Sequence, residues 1–385
     1  MTESVIRPRA IAIGGLLAMA AALGIGRFIY TPVLPSMIED IGLSRGQAGL
    51  IAGANFAGYL AGALAAASPR LRGSQRGWML YSLAASAITT AAIGTTSTLS
   101  WFLVLRFIGG AASAFVLVFA SALVLQRLSA VGKSDLAAWH FAGVGIGITL
   151  SALLIKVLHE LALDWRWVWF SAGALSFVAV FIVAALVPDI TAPGPAAGRD
   201  RGVASPQLVS LIVAYGLFGF GYVITATFIV VIVRGSPDAG PHEYVIWLVF
   251  GLSAVPSVAA WSALAGRFGV LRAFALACFV EAIGVFVSVM PWSTVGLVIA
   301  AIFLGGTFMG ITALGLMAVR LFAPGDARRA LAGMTAAFGL GQAVGPVAAG
   351  YGFDLTGSFF LPSAVAVLGL FGAMLLALRI DDRRA

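Results

Sequence analysis

Apolar residues fall in long blocks along this chain, separated by short stretches rich in Pro, Gly, Ser and charge. Twelve blocks, each of roughly 20 residues or more and so able to cross a ~30 Å hydrocarbon core as a helix, lie near 11–34, 46–67, 77–98, 100–127, 136–160, 166–187, 207–233, 243–266, 271–290, 294–321, 330–353 and 359–379. The pattern predicts an all-α membrane protein with twelve transmembrane helices. The first block is too long for the apolar core of a signal peptide and runs into a charged turn, not a small-residue cleavage site, so it is expected to be retained.

Composition agrees with that reading. Of the 385 residues, 61% are hydrophobic and 10% charged, against about 25% charged in a soluble domain, and the mean hydropathy is +1.04. A net charge of +8 would suit a nucleic-acid partner if it were clustered, but it is spread over loops. The loops on one side hold only Arg45, Arg166 and Arg234, and Arg27, Arg106 and Lys156 lie within blocks. The rest of the 23 Lys and Arg fall on the other side with both chain ends. That bias predicts both termini in the cytoplasm, in a multi-pass protein of a bacterial inner membrane. A single cysteine, Cys278, excludes an internal disulfide and a thiolate cluster. The histidines at 140, 159 and 242 form no ligand pair, and no metal or cofactor is expected.

The segment 189–206, rich in Pro, Gly and Ala, divides the blocks six and six, giving expected domains at 1–188 and 207–385 joined by a cytoplasmic linker. A shift of about 196 residues lays Arg106-Phe-Ile-Gly-Gly110 on Ile302-Phe-Leu-Gly-Gly306 and Gly143-Val-Gly145 on Gly339-Leu-Gly341. At nearly the same shift Gly24-Ile-Gly26-Arg27 falls on Gly219-Phe-Gly221-Tyr222. Two pseudo-symmetric six-helix bundles are thus expected, a repeat plan used by secondary transporters. The first carries the arginines. The second has Tyr222 and Ile302 in their place.

Leu103-Val-Leu-Arg106-Phe-Ile-Gly109-Gly110-Ala-Ala resembles the fourth-helix motif of the major facilitator superfamily. Gly341-Gln-Ala-Val-Gly345-Pro346-Val-Ala-Ala-Gly350 resembles a Gly-rich, Pro-containing motif that antiporters of the superfamily carry in the fifth span. Here it stands in the eleventh, and the fifth keeps Gly143, Gly145 and Gly147 without the proline. The basic loop Pro69-Arg-Leu-Arg-Gly-Ser-Gln-Arg76 lacks the aspartate of the superfamily's loop motif. Gly24-Ile-Gly-Arg27-Phe-Ile-Tyr30-Thr-Pro32-Val-Leu-Pro35 and Asn55-Phe-Ala-Gly58-Tyr59 resemble the YbfB/YjiJ-type branch. The resemblance implies that spans 1, 4, 7 and 10 line a central path, which is where both arginines fall.

A charge within a span costs roughly 2.5–3.5 kcal/mol on insertion scales and usually faces a cavity or partner. Counting helix rise places Arg27 and Arg106 at one level, where two guanidiniums could clamp a carboxylate, sulfonate or phosphate. The bland alternative is that each bonds helix carbonyls and fixes packing. Tyr30 and Thr31 share the Arg27 face. Tyr215, Tyr222 and Thr225 share a face of span 7, and Asn55 and Gln342 are polar groups that either touch cargo or join helices. Glu281 is the carboxylate nearest mid-membrane: a proton-coupling candidate, or a protonated structural group in a span that the resemblance makes peripheral. Gly109, Gly110, Gly143, Gly147, Gly341, Gly345 and Pro346 suit close helix contact and gating movements.

The function expected is secondary active transport of a small organic anion by alternating access, import, exchange and efflux being equally open, by a monomer in the lipid bilayer. The alternative is a proton-coupled exporter of neutral or cationic amphiphiles, which would want an acidic residue in a path that here is positive. No cluster of nucleophile, base or metal ligands supports an enzyme.

Overall fold

The computed structural model of the chain describes residues 7–68, 70–189, 205–291, 294–322 and 327–380. Its regular structure is entirely helical among these residues. The α-helices are α1 (Pro8–Met19), α2 (Tyr30–Ile41), α3 (Arg45–Ala66), α4 (Gln75–Ile93), α5 (Leu99–Ala130), α6 (Ala137–Glu160) and α7 (Trp165–Leu186). There follow α8 (Pro206–Arg234), α9 (Glu243–Phe268), α10 (Val270–Ser288), α11 (Thr294–Phe322), α12 (Ala327–Thr356) and α13 (Phe360–Leu378). With α1 and α2 taken as one unit, Pro8–Ile41, eleven helices among the described residues are long and apolar enough to cross a membrane. The twelfth expected, α4, falls outside that set. It is 19 residues long and stops at Ile93, earlier than the block at 77–98 implies. Ser82, Ser86, Thr89 and Thr90 on its buried side lower its apolarity, yet it packs along both α5 and α7.

Local chemistry sets the helix ends. Ser44 and Gln47 form a capping box at the start of α3, Asp164 caps α7, and Ser205 caps α8 ahead of Pro206 at its first turn. The expected linker at 189–206 lies almost wholly outside the described residues.

The first span is the one that departs most from its expected shape. It is not a continuous helix. A π-helical segment, Ala20–Ile25, follows α1, and residues 26–29 form turns before α2 begins. Gly26 and Phe28 donate five residues back, to the carbonyls of Ala21 (2.9 Å) and Leu23 (3.2 Å). Thr31 donates only three back, to Phe28 (3.2 Å). Pro32 supplies the reason: it has no N–H, and its ring would clash with the carbonyl four residues earlier. Pro35 removes one more ladder donor inside α2, which nevertheless continues to Ile41. Apolar content marks a span but does not report this break, and Arg27 lies in it.

Helices α1–α7 pack mainly on one another, as do α8–α13, and the two sets meet along α3–α12, α6–α9 and α2–α8. Where they meet, the backbones come very close. A Cβ on Gly49 would lie 2.2 Å from the Pro346 carbonyl oxygen, and one on Gly145 would lie 2.6 Å from the Val255 amide nitrogen. Gly109, Gly110, Gly143, Gly147, Gly341 and Gly345 instead face helices of their own set. Residues four apart share a helix face and residues two apart do not, so Gly143 holds α1 and Gly147 the π-helical segment that follows it, while Gly145 between them faces the other set. The pairs that grip the first span of each set, Gly143/Gly147 and Gly341/Gly345, stand two residues off the sequence overlay.

Two polar clamps close one end of the interface. Asp354, near the end of α12, accepts from the Ser44 hydroxyl (2.9 Å), the Arg45 amide (3.1 Å) and the Gly46 amide (2.8 Å), so it caps α3 from the other set. Arg234, at the end of α8, donates to Glu39 of α2 (2.9 Å) and Ser36 (3.3 Å), while its Nε donates to Glu243 (2.7 Å). By contrast, α5 and α11 pack mainly within their own sets, and α11 reaches the first set where Phe308 touches Phe28 edge-on.

Candidate binding site at the broken first span

Arg27 leaves the break and crosses towards the second set. It is 5% exposed, and its guanidinium donates to Gln342 Oε1 at 3.0 Å. The Gln342 amide nitrogen in turn donates to the hydroxyl of Tyr222. Three residues the sequence could mark only singly are thus one chain of hydrogen bonds across the interface. The guanidinium lies over the rings of Tyr59 (4.3 Å) and Phe56 (4.4 Å), with Phe28 at 5.6 Å. Such stacking attracts a cation but does not neutralise it.

Arg106 is 3% exposed and does different work. Its two terminal nitrogens donate to the carbonyls of Gly26 (3.1 Å) and Arg27 (3.0 Å), which the break turns away from the helix ladder. Its guanidinium lies 5.0 Å from the Tyr30 ring centroid. The Nε atoms of both Arg27 and Arg106 are buried with no hydrogen-bond partner. Among the described residues the ion pairs are Lys156–Glu160, Arg234–Glu39 and Arg234–Glu243, so neither central arginine has a carboxylate against it. The two flank a void of only about 10 Å³, shared with Tyr30, Thr31, Phe56 and Thr227, room for a single water at most. Cargo must displace side chains to enter.

The other expected site residues divide by what they bond. Thr31 donates across the interface to the Ala226 carbonyl (2.8 Å). Tyr30 donates to the Ala48 carbonyl (2.9 Å) and Asn55 to the Arg106 carbonyl (2.9 Å), tying α2 and α5 to α3. Tyr215 donates to the Thr312 carbonyl (3.2 Å), and the Thr225 hydroxyl is buried without a partner. Glu281 stands outside this cluster, bonded to Thr307 between α10 and α11. His140 contacts Ser121 (3.0 Å) inside the first set.

What the sequence did not single out is an aromatic wall on the second set. Tyr222 stacks with Phe218 (5.0 Å), Phe308 (5.9 Å) and Phe338 (6.0 Å), and Phe338 also stacks with Tyr215 (4.8 Å). With 26 phenylalanines in the chain, no pattern marks these few. Only the fold brings them opposite Arg27.

Two helix sets meeting at a break within the first span, with polar groups from both sets converging there, fit a multi-pass membrane transport protein. The family comparison is specific: residues 19–378 match the model described as "Uncharacterised MFS-type transporter YbfB". The chain belongs to that family, the YbfB-type transporters of the major facilitator superfamily. It is therefore a transporter and not an enzyme. Comparison with curated proteins gives no match. Among solved structures, a point mutant of the nucleoside transporter NupG aligns with a TM-score of 0.71 at 15% identity, over 96% of this chain and 98% of that one. Another NupG structure aligns with a TM-score of 0.69 at 16% identity, over 97% and 98%. At these identities the likeness is one of fold.

Proposed function

We propose that the chain is a secondary transporter that carries a small organic anion by alternating access, as two six-helix bundles of twelve spans with both termini cytoplasmic. Arg27 supplies the charge that cargo meets. The observation that carries this reading is that Arg27 is buried at the meeting of the two sets with no carboxylate against it. A desolvated cation without a counter-ion is costly, and an anionic cargo would supply the missing charge. Gln342, which now accepts from Arg27, is the group such an anion would replace, and Tyr222 with Phe308 and Phe338 would pack against its apolar part. Arg106 acts behind Arg27 by holding the break open.

A second reading rests on the wall itself. Stacked rings beside an amide and a phenol also suit a neutral planar solute, and the structural likeness to a nucleoside transporter puts nucleosides in the panel. Export of cationic amphiphiles fits least, because the charge at the centre is positive. Thermal stabilisation of the purified protein by carboxylates, sulfonates, phosphates, nucleosides and organic cations separates these, repeated in Arg27→Ala. Stabilisation by an anion that disappears in the variant supports the proposal. Stabilisation by cations or nucleosides that survives in it removes the anion reading.

A further inference from the structure

Glu281 is the buried carboxyl that the site above does not use. Its side chain lies wholly inside the protein, 0% exposed, between α10 and α11. No cation faces it. The helices packed against α10 are α8, α9, α11 and α13. Towards Glu281, α8 presents Tyr222, and Cys278 precedes it by one turn on α10 itself. The ionisable groups of α9 (Glu243, Tyr244 and Arg267) and of α11 (Arg320) sit at their ends, and α13 has none. Gly284 lets α11 come close, with Phe303 and Leu304 in contact there.

The hydrogen-bond pattern decides which form of the carboxyl fits this slot. Thr307 Oγ1 lies within bonding distance of Glu281 Oε2 and also of the Phe303 carbonyl one turn back. A hydroxyl has one proton to give. If Glu281 were ionised, Thr307 would face two acceptors with that one proton, and Oε1, buried without any partner, would carry charge into an apolar slot. With a proton on Glu281 the carboxyl donates to Thr307 and Thr307 donates to Phe303, and the unpartnered Oε1 is a neutral carbonyl oxygen instead of a charged one. The closed slot therefore holds the acid form. Loss of the proton would leave an unpaired carboxylate that needs water or a cation, so α10 and α11 must part to admit one.

Of the two elements that would part, α11 carries one ring of the aromatic wall. Thr307 precedes Phe308, which stacks on Tyr222 and touches Phe28 across the interface. Resting on the transport reading above, we propose that Glu281 is a proton-binding site of the transport cycle. It is protonated in the arrangement described here and released when α10 and α11 separate, so that proton binding biases the two helix sets between their arrangements.

The test needs no cargo. Spin labels at Leu161→Cys and Asp238→Cys, exposed positions on opposite sets, report separation at the clamped end by pulsed electron resonance in proteoliposomes. The native Cys278 is buried and stays unlabelled. We expect the wild-type distance distribution to shift between acid and alkaline pH, Glu281→Gln to hold the acid distribution throughout, and Thr307→Val to move the midpoint while keeping the transition. A shift that persists in Glu281→Gln, or its absence in the wild type, overturns the proposal. Anion stabilisation through Arg27 is read separately, so failure of the proton site and failure of the anion reading are distinguishable.

Discussion

Arg27 and Arg106 look alike in the sequence and separate in the structure. Arg106 is a staple: its fork meets two carbonyls that the break leaves open. Removing it in Arg106→Ala strands both, at about 1–3 kcal/mol for each buried group left unpaired. We expect lowered thermal stability and poor recovery of folded protein. Arg106→Lys should rescue little, since a single ammonium lacks the planar fork. Arg27→Ala strands one buried acceptor, Gln342 Oε1, while the Gln342 amide nitrogen keeps its bond to Tyr222, so it should fold with a smaller loss of stability and show its main effect in binding. Sequence alone brought both arginines to notice, because a charge within a span is conspicuous. It could not give them separate roles, since which carbonyls need a donor depends on the break at 26–29. The phenylalanines of the wall were illegible for the opposite reason: nothing distinguishes them from the rest of an apolar chain.

At the scale of the element, the positions of the helices were legible throughout and the shape of the first was not. Span lengths follow from hydropathy, so most observed ends fall within a few residues of the expected ones. Pro32 and Pro35 are visible in the sequence, but whether two prolines kink a helix or break it depends on what receives the freed carbonyls. Here Arg106 does. The break also makes the Arg27 peptide part of the site, so straightening it should cost function without costing stability. Pro32→Ala restores an N–H able to reach the Phe28 carbonyl. We expect unchanged or raised thermal stability together with weakened anion binding, measured on the same purified sample. Weakened stability with normal binding would show that the break is incidental. The glycines teach a related lesson: spacing found the faces that hold α1 and α8, while those that meet the other set needed the packed structure.

For the whole molecule, the closed end is held by few groups, and each can be removed singly. Asp354 caps a helix of the other set by three hydrogen bonds, and Arg234 bridges to Glu39. Asp354→Ala should shift the population towards separation at that end, seen as faster hydrogen exchange of the amides at the start of α3. Gly49→Val should do so more strongly, because its side chain would meet the Pro346 carbonyl. These changes concern the balance between arrangements and leave Arg27 in place. The central claim, that the charge of Arg27 is answered by the charge of the cargo, is tested most directly by a double-mutant cycle. The dissociation constants of the anion that stabilises best and of its neutral amide are compared in the wild type and in Arg27→Ala. We expect the wild type to prefer the anion by roughly 30-fold or more, the scale of about 2 kcal/mol for a buried charge pair, and the variant to bind both alike. Equal preference in the two proteins would mean that Arg27 serves packing alone.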